Sequence, residues 1–311
     1  MAQDILQTSS NMKSKRLVSD AALVFVAIVW GFAFVAQRIA APQIGVFLFN
    51  AARFLLGALA LTILAAGVKP QQLRFRTFSR SIQTGIIMAG VLLAAGSAFQ
   101  QAGLRYTTAA NAGFITGLYV VLIPIMLVVV FRKTMEMRIW IAALMATLGM
   151  FLLSTNGLMR VNPGDLLVLL GAIFWAMHVI LIGNLVQKVN VLPLAIGQYL
   201  VCGLLNLAIG LGWEAATIPA LLSAWWTVVY TGLISVGLGY TLQIVGQRHA
   251  PPADAAIILS LEAVFAAVGG WIFLSESLSW LQISGCLLML GGMLAAQLDF
   301  IRSRGLQAGE N

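Results

Sequence analysis

Charge is what this sequence lacks. Only 9% of its 311 residues are Asp, Glu, Lys or Arg, where a soluble domain carries about 25%. That is too little polar surface to coat a body in water, and 60% of the chain is hydrophobic, so lipid is the expected solvent. Cysteine is nearly absent as well. Cys202 and Cys286 both fall inside apolar runs, which excludes a disulfide scaffold and a Cys-based zinc site and leaves two small packing residues. Histidine is confined to His178 and His249. The sequence contains no His-Glu-x-x-His, no Gly-x-Ser-x-Gly and no Gly-x-x-x-x-Gly-Lys-Ser/Thr, so metal-dependent hydrolysis, acyl transfer and ATP hydrolysis have no motif to rest on. No cofactor or metal is expected. The net charge of +8 would suggest nucleic acid in a soluble protein. Here it has a different role, because Lys and Arg in short loops set membrane orientation.

What the chain has in abundance is long apolar runs. There are ten, at roughly 18–38, 44–67, 81–104, 107–131, 138–156, 165–187, 193–213, 225–247, 252–274 and 280–298, each near the ~20 residues that span a bilayer. The first follows Lys13, Lys15 and Arg16 as a signal peptide would, but its core is too long and no polar domain follows. It reads as a retained helix. With the N-terminus in the cytoplasm, fourteen Lys and Arg fall in inside segments against three outside, Arg38, Arg105 and Arg160. This places both termini in the cytoplasm of a multi-pass plasma-membrane (bacterial inner-membrane) protein.

The runs repeat. Shifting Gln100–Pro124 by 143 residues gives Gln243–Ala267, with Gln100 on Gln243, Gly103 on Gly246, Arg105 on Arg248, Tyr106 on His249, Asn111 on Asp254 and Tyr119 on Glu262. At a shift of 145, Asp20 lands on Asp165, Trp30 on Trp175 and Arg53 on Gln198. The polar frame carries the match, since apolar helices align by chance. The halves are 1–157 and 158–311, each with five helices. Five is odd, so the second half enters the membrane from the other side. The expected fold is all-α: ten transmembrane helices as two inverted five-helix repeats, with a substrate site near the midplane between them.

These residues resemble a known family. Ten helices as five plus five resemble the EamA-type branch of the drug/metabolite transporter superfamily. So do Trp30 and Trp175 in helices 1 and 6, Arg53 and Gln198 in helices 2 and 7, and Leu261-Glu262-Ala263-Val264-Phe265-Ala266 in helix 9. Glu276 before Leu278 completes the pattern. The sequence departs from it at Ala263, where the family usually has Pro, and at Lys133, which occupies the position matching Glu276. The resemblance implies movement of small metabolites, amino acids or drugs through a central cavity lined largely by helices 3, 4, 8 and 9.

Ionisable groups inside a span are costly and point to function. Glu262, about mid-membrane, is the candidate for proton coupling, or else a packing carboxyl. Arg53 cannot shed its charge and needs an acceptor, either an anionic substrate or backbone carbonyls. His178 lies one turn from Trp175, as a titrating or a packed residue. Trp30, Trp175, Tyr199, Tyr240 and Trp271 offer stacking faces, and Gln100, Asn111, Tyr119, Gln198 and Gln243 add neutral polar groups to the candidate cavity. Trp30, Phe34 and Gln37 share a helix face. Asp20 and Asp165 read as helix caps, with Asp254 and Asn111 opening helices 9 and 4 in the same way. Arg105 and Arg248 are interface anchors or gates. The expected function is secondary transport of small organic metabolites by alternating access, in the export direction, by a monomer with no nucleic-acid partner, either as proton antiport or as facilitated exchange without a coupling ion. A receptor or scaffold and an intramembrane enzyme are the alternatives, and neither has a supporting motif.

Overall fold

The computed structural model describes residues 2–68, 77–155, 162–215, 218–275, 277 and 279–308. Every regular element among them is helical. Glu276, Leu278, the half boundary near 157 and the loop bases Lys69, Arg74, Arg76 and Arg160 lie outside the described residues.

The helices are α1 Ala2–Ala40, α2 Val46–Val68, α3 Arg80–Gly103, α4 Ala109–Val129, α5 Met137–Thr155, α6 Pro163–Leu185 and α7 Val191–Trp213. A short helix, Ile218–Ser223, leads into α8 Trp225–Gln247, α9 Pro252–Leu274 and α10 Trp280–Ala308. Among the described residues, eight of these are long and apolar enough to cross a membrane. The apolar stretches Met137–Leu152 of α5 and Trp280–Ala296 of α10 are shorter. Large apolar side chains such as Leu59, Ile63, Leu144, Leu204 and Leu287 are exposed on the outside of the bundle, as an apolar solvent requires.

Helix starts follow local chemistry. Thr108 caps α4 by accepting from the Asn111 N–H at 3.1 Å. Asn162 and Asp165 form a reciprocal capping box before α6, with Pro163 at its first position. Ser279 and Gln282 exchange bonds at the start of α10. The start of α2 is capped from a distance: the Glu214 carboxylate, at the end of α7, accepts from the N–H groups of Phe47 and Leu48 at 3.1 and 2.9 Å. Asp20 corrects the expectation of a cap. The first helix does not open there. The basic N-terminal segment continues as helix from Ala2, and Asp20 takes Arg16 as its i,i+4 partner inside it.

The packing crosses the halves. α2 lies on α7 and α5 on α10, each against the helix that the sequence shift assigns to it. α1 packs on α8 and α9, and α6 on α3 and α4. Small residues set the closest crossings. A Cβ on Gly103 of α3 would stand 2.6 Å from the Gly164 carbonyl of α6, and the reverse holds at 2.6 Å. Where α5 crosses α10, a Cβ on Gly149 would stand 2.5 Å from the Gly285 carbonyl, and one on Gly292, its sequence match, 2.9 Å from that of Ala142. Arg132 and Ser275, just after α4 and at the end of α9, both adopt left-handed φ, 52° and 56°, and stand 143 positions apart.

These crossings leave no room for growth. Gly149→Leu is expected to destabilise by about 1–3 kcal/mol and to lower the Tm of the detergent-solubilised protein. Gly67→Leu, which meets nothing within 4 Å, leaves it unchanged.

Candidate functional site

The site forms where α4 and α9 both tighten. At Leu118 the backbone N–H bonds to Ile115 at 3.2 Å, and at Leu261 to Ile258 at 3.2 Å, three residues back rather than four. Each helix therefore falls into two segments, Ala109–Gly117 with Tyr119–Val129, and Pro252–Leu259 with Glu262–Leu274. Tyr119 and Glu262 open the second segments, where an acid is favoured by the helix dipole. They are the residues matched by the 143-residue shift, and they meet: the Tyr119 hydroxyl donates to Glu262 Oε1 at 3.0 Å. Both are buried.

A wall of rings surrounds this contact, with Tyr240 as its hub. Trp30 lies 4.5 Å from the Tyr240 ring centre and Trp175 stacks on it at 5.8 Å, with Phe54 at 5.9 Å, Tyr199 at 6.3 Å and His178 edge-on at 6.3 Å. The two tryptophans are again a sequence-matched pair. Tyr240 ends a π-helical stretch, Tyr230–Tyr240, in α8, a wider winding that recurs at functional sites. The Trp30 indole donates to the Ser235 carbonyl of that stretch at 3.2 Å. The Trp175 indole donates to Gln100 Oε1 at 2.9 Å, and Gln243 donates to Gln247 at 3.1 Å. The Gln243 Oε1 and Thr116 Oγ1 atoms have no protein partner.

Arg53 supplies the charge. Its side chain is fully buried between the rings of Phe49 and Phe54, 5.4 and 4.9 Å from the guanidinium carbon. Nε donates to Asn50 Oδ1 at 3.0 Å. Nη2 and the Asn50 Nδ2 have no partner, and among the described residues no carboxylate pairs with the guanidinium. Ring contacts return about 0.5–2 kcal/mol. Burying an uncompensated ion costs several kcal/mol. Arg53 therefore keeps an open donor for an acceptor.

Together these groups enclose a narrow cavity of about 30 Å³, room for a water-sized guest and too tight for an organic solute in this conformation. Trp30, Arg53, Gln100, Tyr119, Trp175, Tyr240, Gln243 and Glu262, all expected from the sequence, line it. His178 and Gln198 stand behind the wall, bonded to each other at 2.8 Å. Asn111 stays in the first turn of α4, away from the cavity, where its N–H meets the Thr108 cap. Gln37, Thr116 and Ser235 also line it, beyond the residues expected from the sequence. The shared face of Trp30, Phe34 and Gln37 and the one-turn spacing of Thr116 and Tyr119 are signals for two of them. Ser235 has none, since its place depends on the π-helical winding. Trp271, one of the aromatic candidates, is 58% exposed on the outside of the bundle. No cluster of metal-ligating side chains occurs among the described residues. Replacing Glu262 by Gln is expected to keep the acceptor for Tyr119 and the fold. Glu262→Leu strands the buried hydroxyl at a cost of about 1–3 kcal/mol, seen as a lower Tm.

The chain matches proteins with known names. The sequence profile of the EamA-like transporter family fits twice, over residues 18–155 and 162–296. A protein of Archaeoglobus fulgidus named as an uncharacterized transporter is 32% identical over 288 residues, covering 91% of this chain and 87% of its own. The threonine/homoserine exporter RhtA of Escherichia coli K12 is 35% identical over 77 residues, 24% of this chain and 25% of its own. A solved crystal structure with 19% identity superposes with a TM-score of 0.75 over 93% of this chain and 98% of its own, which shows the fold. With two profile matches over most of its length, this multi-pass membrane protein belongs to the EamA-like transporter family of the drug/metabolite transporter superfamily.

Proposed function

We propose that this transporter moves small, carboxylate-bearing, amino-acid-like metabolites by alternating access, in the export direction, with both termini in the cytoplasm. The observation that carries the reading is the unpartnered Arg53 Nη2 in a narrow, ring-lined cavity. A substrate carboxylate at Arg53 would neutralise it. Glu262 and the free acceptors Gln243 Oε1 and Thr116 Oγ1 would receive an ammonium group, and Trp30, Trp175 and Tyr240 would cover the remainder. Oppositely charged ends in one cavity suit a zwitterion better than a neutral drug. The partial likeness to a protein named as a threonine/homoserine exporter agrees with this class.

Ten crossings in two inverted halves, 1–157 and 158–311, complete the reading. It is supported by the repeat and by matched residues that touch: Tyr119 with Glu262, α2 with α7, α5 with α10. Two similar halves can exchange roles, so outward- and inward-facing states have similar energies. A monomer suffices to enclose the site. Glu262 is the coupling group, exchanging a proton for substrate at the shared cavity.

In proteoliposomes, Arg53→Gln is expected to weaken carboxylate-substrate binding by roughly 10–150-fold, the equivalent of one charged hydrogen bond of about 1.5–3 kcal/mol. Flux of an equally bound neutral analogue would change little. Glu262→Gln is expected to weaken substrate binding, since the ammonium loses its carboxylate, to retain counterflow at raised substrate concentration and to lose accumulation driven by a proton gradient. Unchanged flux and pH dependence in that variant would remove Glu262 from coupling.

A further inference from the structure

α1 and α6 are each tied to the opposite half of the chain, at opposite ends of the bundle and by unlike chemistry. Near the N-terminal end of the apolar part of α1, Arg16 donates from Nε to Asp20 at 2.8 Å and from Nη2 to Asp254 of α9 at 2.8 Å. Its Nη1 reaches the His249 carbonyl in the α8–α9 turn at 3.3 Å. The three side chains are largely buried, 17, 9 and 10% exposed. At the start of α6, Asp165 accepts from the Thr107 hydroxyl at 2.6 Å, in the turn between α3 and α4. Asp20 and Asp165 are sequence-matched, so each tie uses an Asp on the first helix of its half, through Arg16 for Asp20 and directly to Thr107 for Asp165. The cavity lies between the two ties.

We infer that Arg16, Asp20 and Asp254 form the gate on the N-terminal face, and that Thr107 and Asp165 form the gate on the opposite face. The inference rests on the alternating-access reading. α1 packs on α8 and α9, and α6 on α3 and α4, so opening either end of the cavity separates one of these pairs from its turn. The two gates differ in charge. One guanidinium holds two carboxylates together on the N-terminal face, whereas a neutral hydroxyl holds a single carboxylate on the other. Both ties are charge-assisted, but Arg16 crosses to the other half twice, to Asp254 and to the His249 carbonyl, where Thr107 crosses once, and Arg16 also suppresses repulsion between Asp20 and Asp254. The ionic gate is therefore the harder to open, and the empty protein favours opening on the Thr107 side.

The charges set an unusual order among variants. Asp254→Asn loses the bond between helices but leaves the Arg16–Asp20 pair. Arg16→Gln loses the bond and leaves two carboxylates facing each other, so it opens the gate further. Adding Asp254→Asn to Arg16→Gln removes the repulsion and closes the gate part of the way.

The test uses the full chain in sealed vesicles of either orientation, with Cys202 and Cys286 replaced by Ala and Thr116→Cys as the cavity reporter. The probe is a membrane-impermeant maleimide. Arg16→Gln is expected to raise labelling from the N-terminal face by about tenfold, within the ~5–150-fold range of conformational coupling. Asp254→Asn and the double variant fall between it and the parent. Thr107→Val raises labelling from the opposite face instead. Equal rises on both faces, or no rise for Arg16→Gln while the reporter thiol remains reachable from each face in turn, would overturn the gate and leave alternating access standing. A reporter reachable from one face only in every variant would overturn both.

Discussion

The hydrogen bond between Tyr119 and Glu262 fixes the centre of this molecule. It joins two residues that occupy the same place in the two copies of the repeat, and each opens the second segment of a helix that tightens just before it. A carboxyl group buried in an apolar bundle needs a partner, and the tyrosine supplies one from the other half. Once α4 and α9 meet there, the rest follows by packing. The matched tryptophans flank one ring, Tyr240, and Arg53 comes to the same cavity from α2. The bond also marks where the copies differ, since only one of the two positions bears an acid.

The interlocked halves explain why so much polar chemistry can sit in a bundle with so little charge. α1 and α6 are each received by the other half, so polar groups on their inner faces meet partners from a different part of the chain. Trp30 finds the Ser235 carbonyl, Trp175 finds Gln100 and Asp165 finds Thr107. Three buried polar atoms without a protein partner meet at the cavity. Arg53 Nη2, Thr116 Oγ1 and Gln243 Oε1 belong to residues lining one small space. Buried atoms of this kind are paired by ordered water, an ion or a ligand.

The sequence reveals the plan through its few polar residues. Gln100 and Gln243, Trp30 and Trp175, and Tyr119 and Glu262 stand out against an apolar background, so their spacing carries weight where matches of Ala and Leu do not. It misleads at Asp20, where Lys13, Lys15 and Arg16 look like a loop before a cap. In fact Arg16 continues the helix and reaches Asp254, 238 positions away, a contact no local pattern carries. Asn111 and Asp254 share a position and neither lines the cavity, yet Asp254 meets Arg16 while Asn111 sits at the Thr108 cap, because the match fixes a place on the helix and not what lies opposite. The π-helical stretch of α8, and with it Ser235, depends on tertiary packing against α1 and α2.

Recognition of a carboxylate through Arg53 is the step on which the proposed transport cycle depends. Trp30 and Trp175 line the cavity and report on its occupancy. Tryptophan fluorescence of the purified protein can therefore be titrated with a panel of α-amino acids and with the corresponding amides, which keep the amine and side chain but lose the carboxylate. If Arg53 holds the carboxylate, at least one amino acid changes the emission saturably, and its amide binds at least about tenfold more weakly, the loss of one charge-assisted bond. An amide that binds as tightly as its acid would contradict recognition through Arg53.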